Sequence, residues 1–125
     1  MREGINSSEL TAPVGPFSHA VKSAGAIYLS GQVAQDPATG KLIEGDVEAQ
    51  TEQIFANLQR VLKALDKDLD DVLKVNVYLS SMADFAAMNE VFARHFAPPY
   101  PARTTVAVAA LPLSAKVEME LIVGA

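Results

Sequence analysis

The chain of 125 residues contains no cysteine and no tryptophan, and its only histidines are His19 and His95. The lack of cysteine excludes a disulfide framework, a thiolate nucleophile and a cysteine-ligated zinc ion. The two histidines belong to no HxxxH or HExxH pair, the spacings that place two imidazoles on one metal ion. We therefore expect a protein without a metal site.

Sequence signals of several common protein classes are also missing. No GxSxG, P-loop or GxGxxG motif is present, so nothing supports a nucleophile elbow, a nucleotide site or a dinucleotide site. No apolar run approaches the roughly 20 residues of a membrane-spanning helix, and residues 1–16 lack the apolar core of a signal peptide. These absences predict a soluble protein of the cytoplasm.

Positive charge is sparse. The ten Lys and Arg residues are scattered along the chain, and 15 acidic residues give a net charge of −5. Affinity for nucleic acid comes largely from clustered basic side chains. We therefore expect no nucleic-acid partner.

Apolar residues, by contrast, are abundant. They make up 50% of the chain, and the mean hydropathy is +0.17. A chain of this length is expected to form one domain, here residues 1–125, with residues 1–16 as a polar N-terminal arm. The apolar content exceeds what one small core needs, and the excess predicts a subunit interface.

The pattern of apolar residues predicts a mixed α+β fold. A 3.6-residue period predicts two helices, the first capped by Asp46, and shorter alternating or apolar runs predict the strands. The predicted elements are strands at residues 17–23, 26–30 with a continuation at 32–34, and 42–43, a helix at 47–65, a strand at 73–79, a helix from 81 to 96, and strands at 104–110 and 116–123. This order is β-β-β-α-β-α-β-β. Two helices cover only one face of such a sheet, so the partly apolar other face must be buried by something else.

Arg103 is the first candidate functional residue. It follows a stiff, proline-rich approach at residues 97–101 and precedes the apolar strand at 104–110, which we expect to be buried. A guanidinium is always charged, and its planar fork fits a carboxylate with two parallel hydrogen bonds. The position therefore suggests a receptor for a small carboxylate. An ion pair with an internal acid is the alternative.

Glu118 is the second candidate. It lies in the middle of the last strand between Val117 and Met119, where a carboxylate is costly to bury unless something pairs with it. A solvent-facing strand residue explains the pattern equally well. Glu120 lies on the same side of the strand and is the second choice for a catalytic acid.

A simple hairpin model constrains how these two residues meet. If residues 111–115 form a hairpin loop, Glu118 pairs near Val108, five residues from Arg103, which is roughly 16 Å along the sheet. A shared site then needs a curved sheet, long side chains or a second subunit.

Several short motifs, in order along nearly the whole chain, resemble those of the RidA/YjgF family of reactive-intermediate deaminases. The matching segments are residues 15–21 (GPFSHAV), 27–32 (IYLSGQ), 36–40 (DPATG), 101–103 (PAR), 108–112 (VAALP) and 117–120 (VEME). The resemblance implies a chorismate-mutase-like fold that assembles as a homotrimer, with sites in the clefts between subunits. It also implies hydrolysis of 2-imino and enamine acids, such as 2-aminoacrylate and 2-iminobutanoate, to 2-keto acids and ammonia, without a cofactor.

The same resemblance assigns roles to individual residues. Arg103 would bind the substrate carboxylate, Glu118 would activate water and return a proton to ammonia, and the backbone carbonyl of Thr105 would hold that water. The remaining pocket residues that match the family are Phe17, Ser30, Gly31 and Asn89.

This chain departs from the family pattern at three positions. Phe17 stands where a tyrosine is usual and His19 where a glutamine is frequent, while Thr105 replaces a frequent cysteine. The loss of a tyrosine hydroxyl removes one polar contact from the expected pocket.

Family members have also been described as ribonucleases and translation inhibitors. That activity, or a carboxylate-binding protein or chaperone without turnover, is the alternative function.

Overall fold

The computed structural model of the protein describes residues 2–125 and has the predicted α+β class. Its elements are β1 (Glu3–Ile5), β2 (Ala20–Ser23), β3 (Ala26–Gln32), α1 (Val47–Ala64), β4 (Val72–Leu79), α2 (Phe85–His95), β5 (Ala102–Ala107) and β6 (Val117–Gly124). The order of strands and helices is the predicted one. The first three strands, however, differ from those predicted. The structure adds β1, which was not predicted, and the strand predicted at 42–43 is reduced to an isolated bridge between Gln35 and Leu42.

The six strands form one sheet in the order β1-β2-β3-β6-β4-β5. Among the strand pairs within residues 2–125, only that of β4 and β5 is parallel, because the chain crosses over through α2 between them. The predicted hairpin of the last two strands is therefore wrong. β6 lies between β3 and β4, and Glu118 is the register partner of Tyr78 on β4 rather than of Val108.

Both helices contribute to one core against one face of the sheet. The helix α1 begins at the predicted cap, where the Asp46 Oδ1 accepts a hydrogen bond of 2.9 Å from the backbone N–H of Ala49. The inward stripe of α1 includes Phe55 and Leu58, and that of α2 includes Met88 and Phe92. We call this side of the sheet the helix face and the opposite side the open face.

Two strand predictions fail because strand pairing changes which side chains face inward. Between Val72 and Lys74 the register with β6 shifts, so Val72 is buried. Leu73, which simple alternation along the strand predicted at 73–79 places on the same side as Val75, is 56% exposed. The predicted burial of residues 104–110 is also wrong. Their strand β5 is the edge of the sheet, and its outward side carries exposed Thr104 and Val106.

The N-terminal arm is fixed by His19. The imidazole Nδ1 accepts a hydrogen bond of 3.0 Å from the backbone N–H of Ser7, so Nε2 carries the hydrogen and donates to the Thr11 carbonyl at 3.1 Å. The ring is buried, and the backbone N–H of His19 donates to Asn6 Oδ1 at 2.8 Å. His19 is thus a structural residue. Met1, the first residue of the predicted arm, lies outside the described residues.

The open face is amphipathic. Tyr28 on β3 and Val106 on β5 are 51% and 41% exposed there, and polar side chains of β4 and β6 lie between them.

Among residues 2–125 no helix has the length and apolar character needed to cross a membrane. The cytoplasmic location stays a prediction.

Candidate active site

Arg103 lies on the helix face, at the edge of the sheet. Its register partner Val75 is fully buried in the core, and its Nη1 donates a hydrogen bond of 2.7 Å to Asn89 Oδ1 on α2. The guanidinium carbon is 4.7 Å from the ring centroid of Phe92 and 5.6 Å from that of Phe85, within cation–π range. These contacts fix the orientation of the guanidinium before any ligand arrives.

In the part of the chain that the structure describes, no acidic side chain pairs with Arg103. Among residues 2–125 no carboxylate oxygen lies within 4.0 Å of its guanidinium, so the alternative of an internal ion pair is wrong for the isolated chain. Burial lowers the pKa of Arg103 from its ordinary value, because the charged form loses hydration. A partly buried cation without a counter-ion favours an anionic ligand.

A pocket of about 360 Å³ opens beside this guanidinium. Its lining residues are Asn89, Phe92, Ala93, Tyr100, Pro101 and Arg103. One charged group among apolar walls suits a small molecule with a carboxylate at one end and an apolar remainder.

Thr105 lies two residues further along the same strand. The backbone N–H of Val108 donates to the Leu79 carbonyl of β4 at 2.8 Å, and strand backbone groups alternate between the two edges. The carbonyl of Thr105, three residues earlier, therefore points to the free edge of β5. It is available there to accept a hydrogen bond from water.

The side chain of Thr105 has a different environment. Its Oγ1 is buried and has no hydrogen-bond partner among the described residues. We expect Thr105→Val to raise the free energy of unfolding by about 1 kcal/mol, because the change removes an unpaired buried hydroxyl and keeps the shape. Urea unfolding measures the effect, with Thr104→Val at the exposed neighbouring position as control. A clear loss of stability in Thr105→Val alone would mean that the hydroxyl makes a hydrogen bond in the protein.

Glu118 lies on the open face, because its neighbours Val117 and Met119 are fully buried on the helix face. Its carboxylate lies against Gly31, where a Cβ atom would come within 2.9 Å of the Glu118 Oε2. The β3–β6 register shifts between Leu29 and Gln32, so a bulge brings Gly31 to this position. Burial, and to a lesser degree the charge of Glu120, raises the pKa of Glu118.

Phe17 and Ser30 lie close to Glu118 and Gly31. Phe17 is 49% exposed and lines, together with Gly31 and His19, a small pocket of about 50 Å³. The Ser30 Oγ donates to the Ser18 carbonyl at 2.7 Å, and its backbone N–H donates to the His19 carbonyl. Ser30 therefore joins β3 to the segment that leads into β2. Its hydroxyl proton is used in this bond, so the hydroxyl can only accept a hydrogen bond from a ligand.

The structure thus separates the candidate residues into two half-sites on opposite faces. The arginine half-site contains Arg103, Asn89 and Thr105, and the glutamate half-site contains Glu118 and Gly31 with Phe17 and Ser30 nearby. Arg103 pairs with Val75, and Glu118 pairs with Tyr78, three residues further along β4. Standard strand spacings put the two about 14 Å apart in the plane of the sheet, with the sheet between their side chains. Neither curvature nor long side chains join them within one chain.

Sequence reasoning missed three residues that shape these half-sites. Phe85 and Phe92 belong to the apolar stripe of α2, and the stripe alone did not indicate that they also contact a guanidinium. Tyr78 alternates with the apolar residues of the strand predicted at 73–79, and this pattern does not indicate its hydrogen bond to Glu120.

Comparison with known proteins places the chain in a family. The family model described as Endoribonuclease L-PSP matches residues 7–125. The mouse protein named 2-iminobutanoate/2-iminopropanoate deaminase is 40% identical over 122 residues, which are 98% of this chain and 90% of the mouse protein.

Solved structures agree over the whole fold. The crystal structure of RidA from the Antarctic bacterium Psychrobacter sp. PAMC 21119 has a TM-score of 0.93 and 44% identity, covering 98% of this chain and 99% of that one. That of E. coli TdcF with bound serine has a TM-score of 0.90 and 30% identity, covering 98% of each chain. The chain therefore belongs to the Endoribonuclease L-PSP family, which is the RidA/YjgF family that its motifs resemble.

Proposed function

We propose that this protein hydrolyses 2-imino acids and their enamine tautomers, such as 2-iminobutanoate and 2-aminoacrylate, to 2-keto acids and ammonia. The observation that carries the proposal is the partly buried guanidinium of Arg103, which Asn89 and Phe92 hold and which has no counter-ion among the described residues. A ligand carboxylate completes this arrangement. The names of relatives at about 40% identity, such as the mouse deaminase, support the same reaction.

The chemistry requires little beyond positioning and proton transfer. The carbon of the C=N bond is already electrophilic, so the protein has to hold the substrate carboxylate on Arg103 and a water molecule against that carbon. Glu118 takes a proton from the attacking water, the C–O bond forms, and the electrons of the C=N bond move to nitrogen. Glu118 returns this proton to the nitrogen, which gives a carbinolamine. The hydroxyl proton of the carbinolamine then passes through Glu118 to the amino group, the C–N bond breaks, and ammonia leaves as the electrons of the O–H bond form the keto group. The Thr105 carbonyl is the second acceptor for the water.

Two copies of the chain are needed for this arrangement, because the half-sites lie on opposite faces. We propose that the arginine half-site of one copy meets the glutamate half-site of the next in a homotrimer. The free edge of β5 beside Arg103 and the exposed Tyr28 and Val106 on the open face support such packing. In light scattering we expect about three chain masses, and a monodisperse monomer at micromolar concentration would contradict the shared site.

Ribonuclease activity is the second candidate, favoured by the description of the family model. The net charge of −5 and the scattered basic residues argue against it, because RNA binding relies on clustered positive charge. An RNA-cleavage assay of a highly purified preparation distinguishes the two functions. If it cleaves RNA, and Arg103→Ala abolishes the cleavage while imine turnover persists, the pocket serves RNA instead.

The direct test uses a substrate generated in place, because free imines hydrolyse in water. A pyridoxal-phosphate dehydratase acting on threonine releases 2-iminobutanoate, and keto-acid formation is followed with and without this protein. We expect keto acid to form faster when the protein is present. An unchanged rate, in a preparation that binds 2-ketobutyrate, would indicate a carboxylate-binding protein without turnover.

A further inference from the structure

A second carboxylate on the open face is held rigidly beside Glu118. The Glu120 Oε1 accepts a hydrogen bond from the Tyr78 hydroxyl and another, of 3.2 Å, from the Asn76 Nδ2. In the sheet register Asn76 is the partner of Glu120, and Tyr78 is the partner of Glu118. Tyr78 thus reaches diagonally from the position opposite one glutamate to the other. The hydrogen bonds among residues 2–125 include none to the Glu118 carboxylate.

We infer that Glu120 is a positioning residue for the proposed reaction: anchored by Tyr78 and Asn76, it keeps a fixed negative charge beside Glu118, the group that transfers protons. The inference rests on the proposed function for the role of Glu118. It assigns a purpose to three side chains that the reaction itself does not use.

The physical argument is electrostatic. Residues two apart on a strand lie on one face, about 7 Å apart, and a neighbouring negative charge disfavours ionisation of a carboxyl group. The charge of Glu120 adds to burial in raising the pKa of Glu118. A proton-transferring group works best when its pKa lies near the working pH, so the fixed charge favours catalysis near neutrality.

Tyr78 is suited to its anchoring role. The hydrogen bond to Glu120, followed by burial and the charges of Glu120 and Glu118, raises the pKa of its hydroxyl. Tyr78 therefore stays protonated, and remains a donor, throughout the pH range in which a carboxyl group titrates.

Other charges near Glu118 are more distant or screened. Lys74 on β4 is paired with Ile122, beyond Glu120 as seen from Glu118. Lys116, two residues before Glu118, is exposed, so water and salt screen its charge. The neighbouring strand β3 presents Gly31 and Ser30, which are uncharged. In the proposed trimer Arg103 of a second copy faces Glu118, and substrate carboxylate lies between them.

The test is Glu120→Gln in the full-length protein. Its first measurement is the ¹³C carboxyl titration of Glu118, with the signal assigned by its loss in Glu118→Gln. We expect the midpoint to fall by on the order of one pH unit, since a charge–charge interaction at this distance is removed. The acid limb of kcat against pH should move in the same direction. Tyr78→Phe, which removes one anchor, should give a smaller shift of the same sign.

A matched control is Glu44→Gln, which removes the same charge from an exposed loop residue before α1 and should shift neither titration. An unchanged Glu118 midpoint in Glu120→Gln would overturn the inference, as would a loss of activity that is equal at every pH. The NMR titration needs no turnover. If the wild type fails to hydrolyse imines, the proposed function fails, while this measurement still decides how Glu120 acts on Glu118.

Discussion

Replacing Arg103 by alanine is expected to abolish most of the imine turnover and, with it, the binding of carboxylate products such as 2-ketobutyrate. Of the described residues that line the pocket beside α2, only Arg103 is charged, and Asn89 and Phe92 orient its guanidinium for a ligand. Two charge-assisted hydrogen bonds to a carboxylate are lost together, which predicts a fall in kcat/KM of about 100-fold or more. Keto-acid release and calorimetric titration with 2-ketobutyrate measure the two effects.

Two further variants show whether charge alone is sufficient. Arg103→Lys keeps a positive charge but lacks the planar fork and stacks less well on Phe92, so it should restore turnover only in part. Arg94→Ala, at an exposed site on the same helix as Asn89, serves as control and should retain full activity. If Arg103→Ala still binds 2-ketobutyrate as tightly as the wild type, the carboxylate is held elsewhere.

Much of the fold is predictable because its signals are local. The period of α1 and its Asp46 cap depend on neighbouring residues, and the structure confirms both. Strand order, by contrast, is not determined by neighbouring residues. Whether β6 pairs with β5 or lies between β3 and β4 depends on how α2 crosses the sheet, and no nearby residue encodes that pairing. The bulge after Val72 is equally invisible to an alternating pattern, and it reverses the direction of Leu73.

In the candidate site, too, some features follow from the local sequence and others depend on how the strands pair. The residue type and the stiff approach at 97–101 single out Arg103. The position of Glu118 between two apolar residues makes it a candidate, but a solvent-facing strand residue explains the same pattern equally well. The face of the sheet on which Arg103 lies depends on its register with Val75 and on the rings of α2. That register is a tertiary property. The separation into two half-sites therefore emerges only when the strands are assembled.

Glu118→Gln should reduce turnover by about 10²–10⁴-fold, the usual contribution of a general acid–base group, and leave binding of 2-ketobutyrate nearly intact. The amide is similar in shape to the carboxylate but cannot accept a proton from water. Because burial and Glu120 raise the pKa of Glu118, the wild-type rate should fall on acidification at a pH above the ordinary carboxyl range. Full turnover in Glu118→Gln would leave proton transfer to Glu120 or to a backbone-held water.

The change Glu118→Gln should affect stability in the direction opposite to its effect on activity. A carboxyl group whose pKa is higher in the folded than in the unfolded state stabilises the fold below its unfolded pKa, and this contribution is lost as the pH rises through the folded value. Glu118 is in this class. At neutral pH the uncharged Glu118→Gln should therefore be at least as stable as the wild type, and the difference should shrink below pH 4. A thermal melt at both pH values shows whether inactivity comes from misfolding.

The strongest consequence of the two half-sites concerns mixtures of inactive variants. If each site takes Arg103 from one copy and Glu118 from the next, trimers reassembled from equal amounts of Arg103→Ala and Glu118→Gln contain some sites with both residues intact. Random assembly makes that fraction about a quarter, so about a quarter of the wild-type activity should return on mixing. Mixing wild type with Arg103→Ala in the same ratio should leave about half the activity, as a control for reassembly. If the variant mixture stays inactive while this control behaves as expected, the two residues do not form one site across subunits.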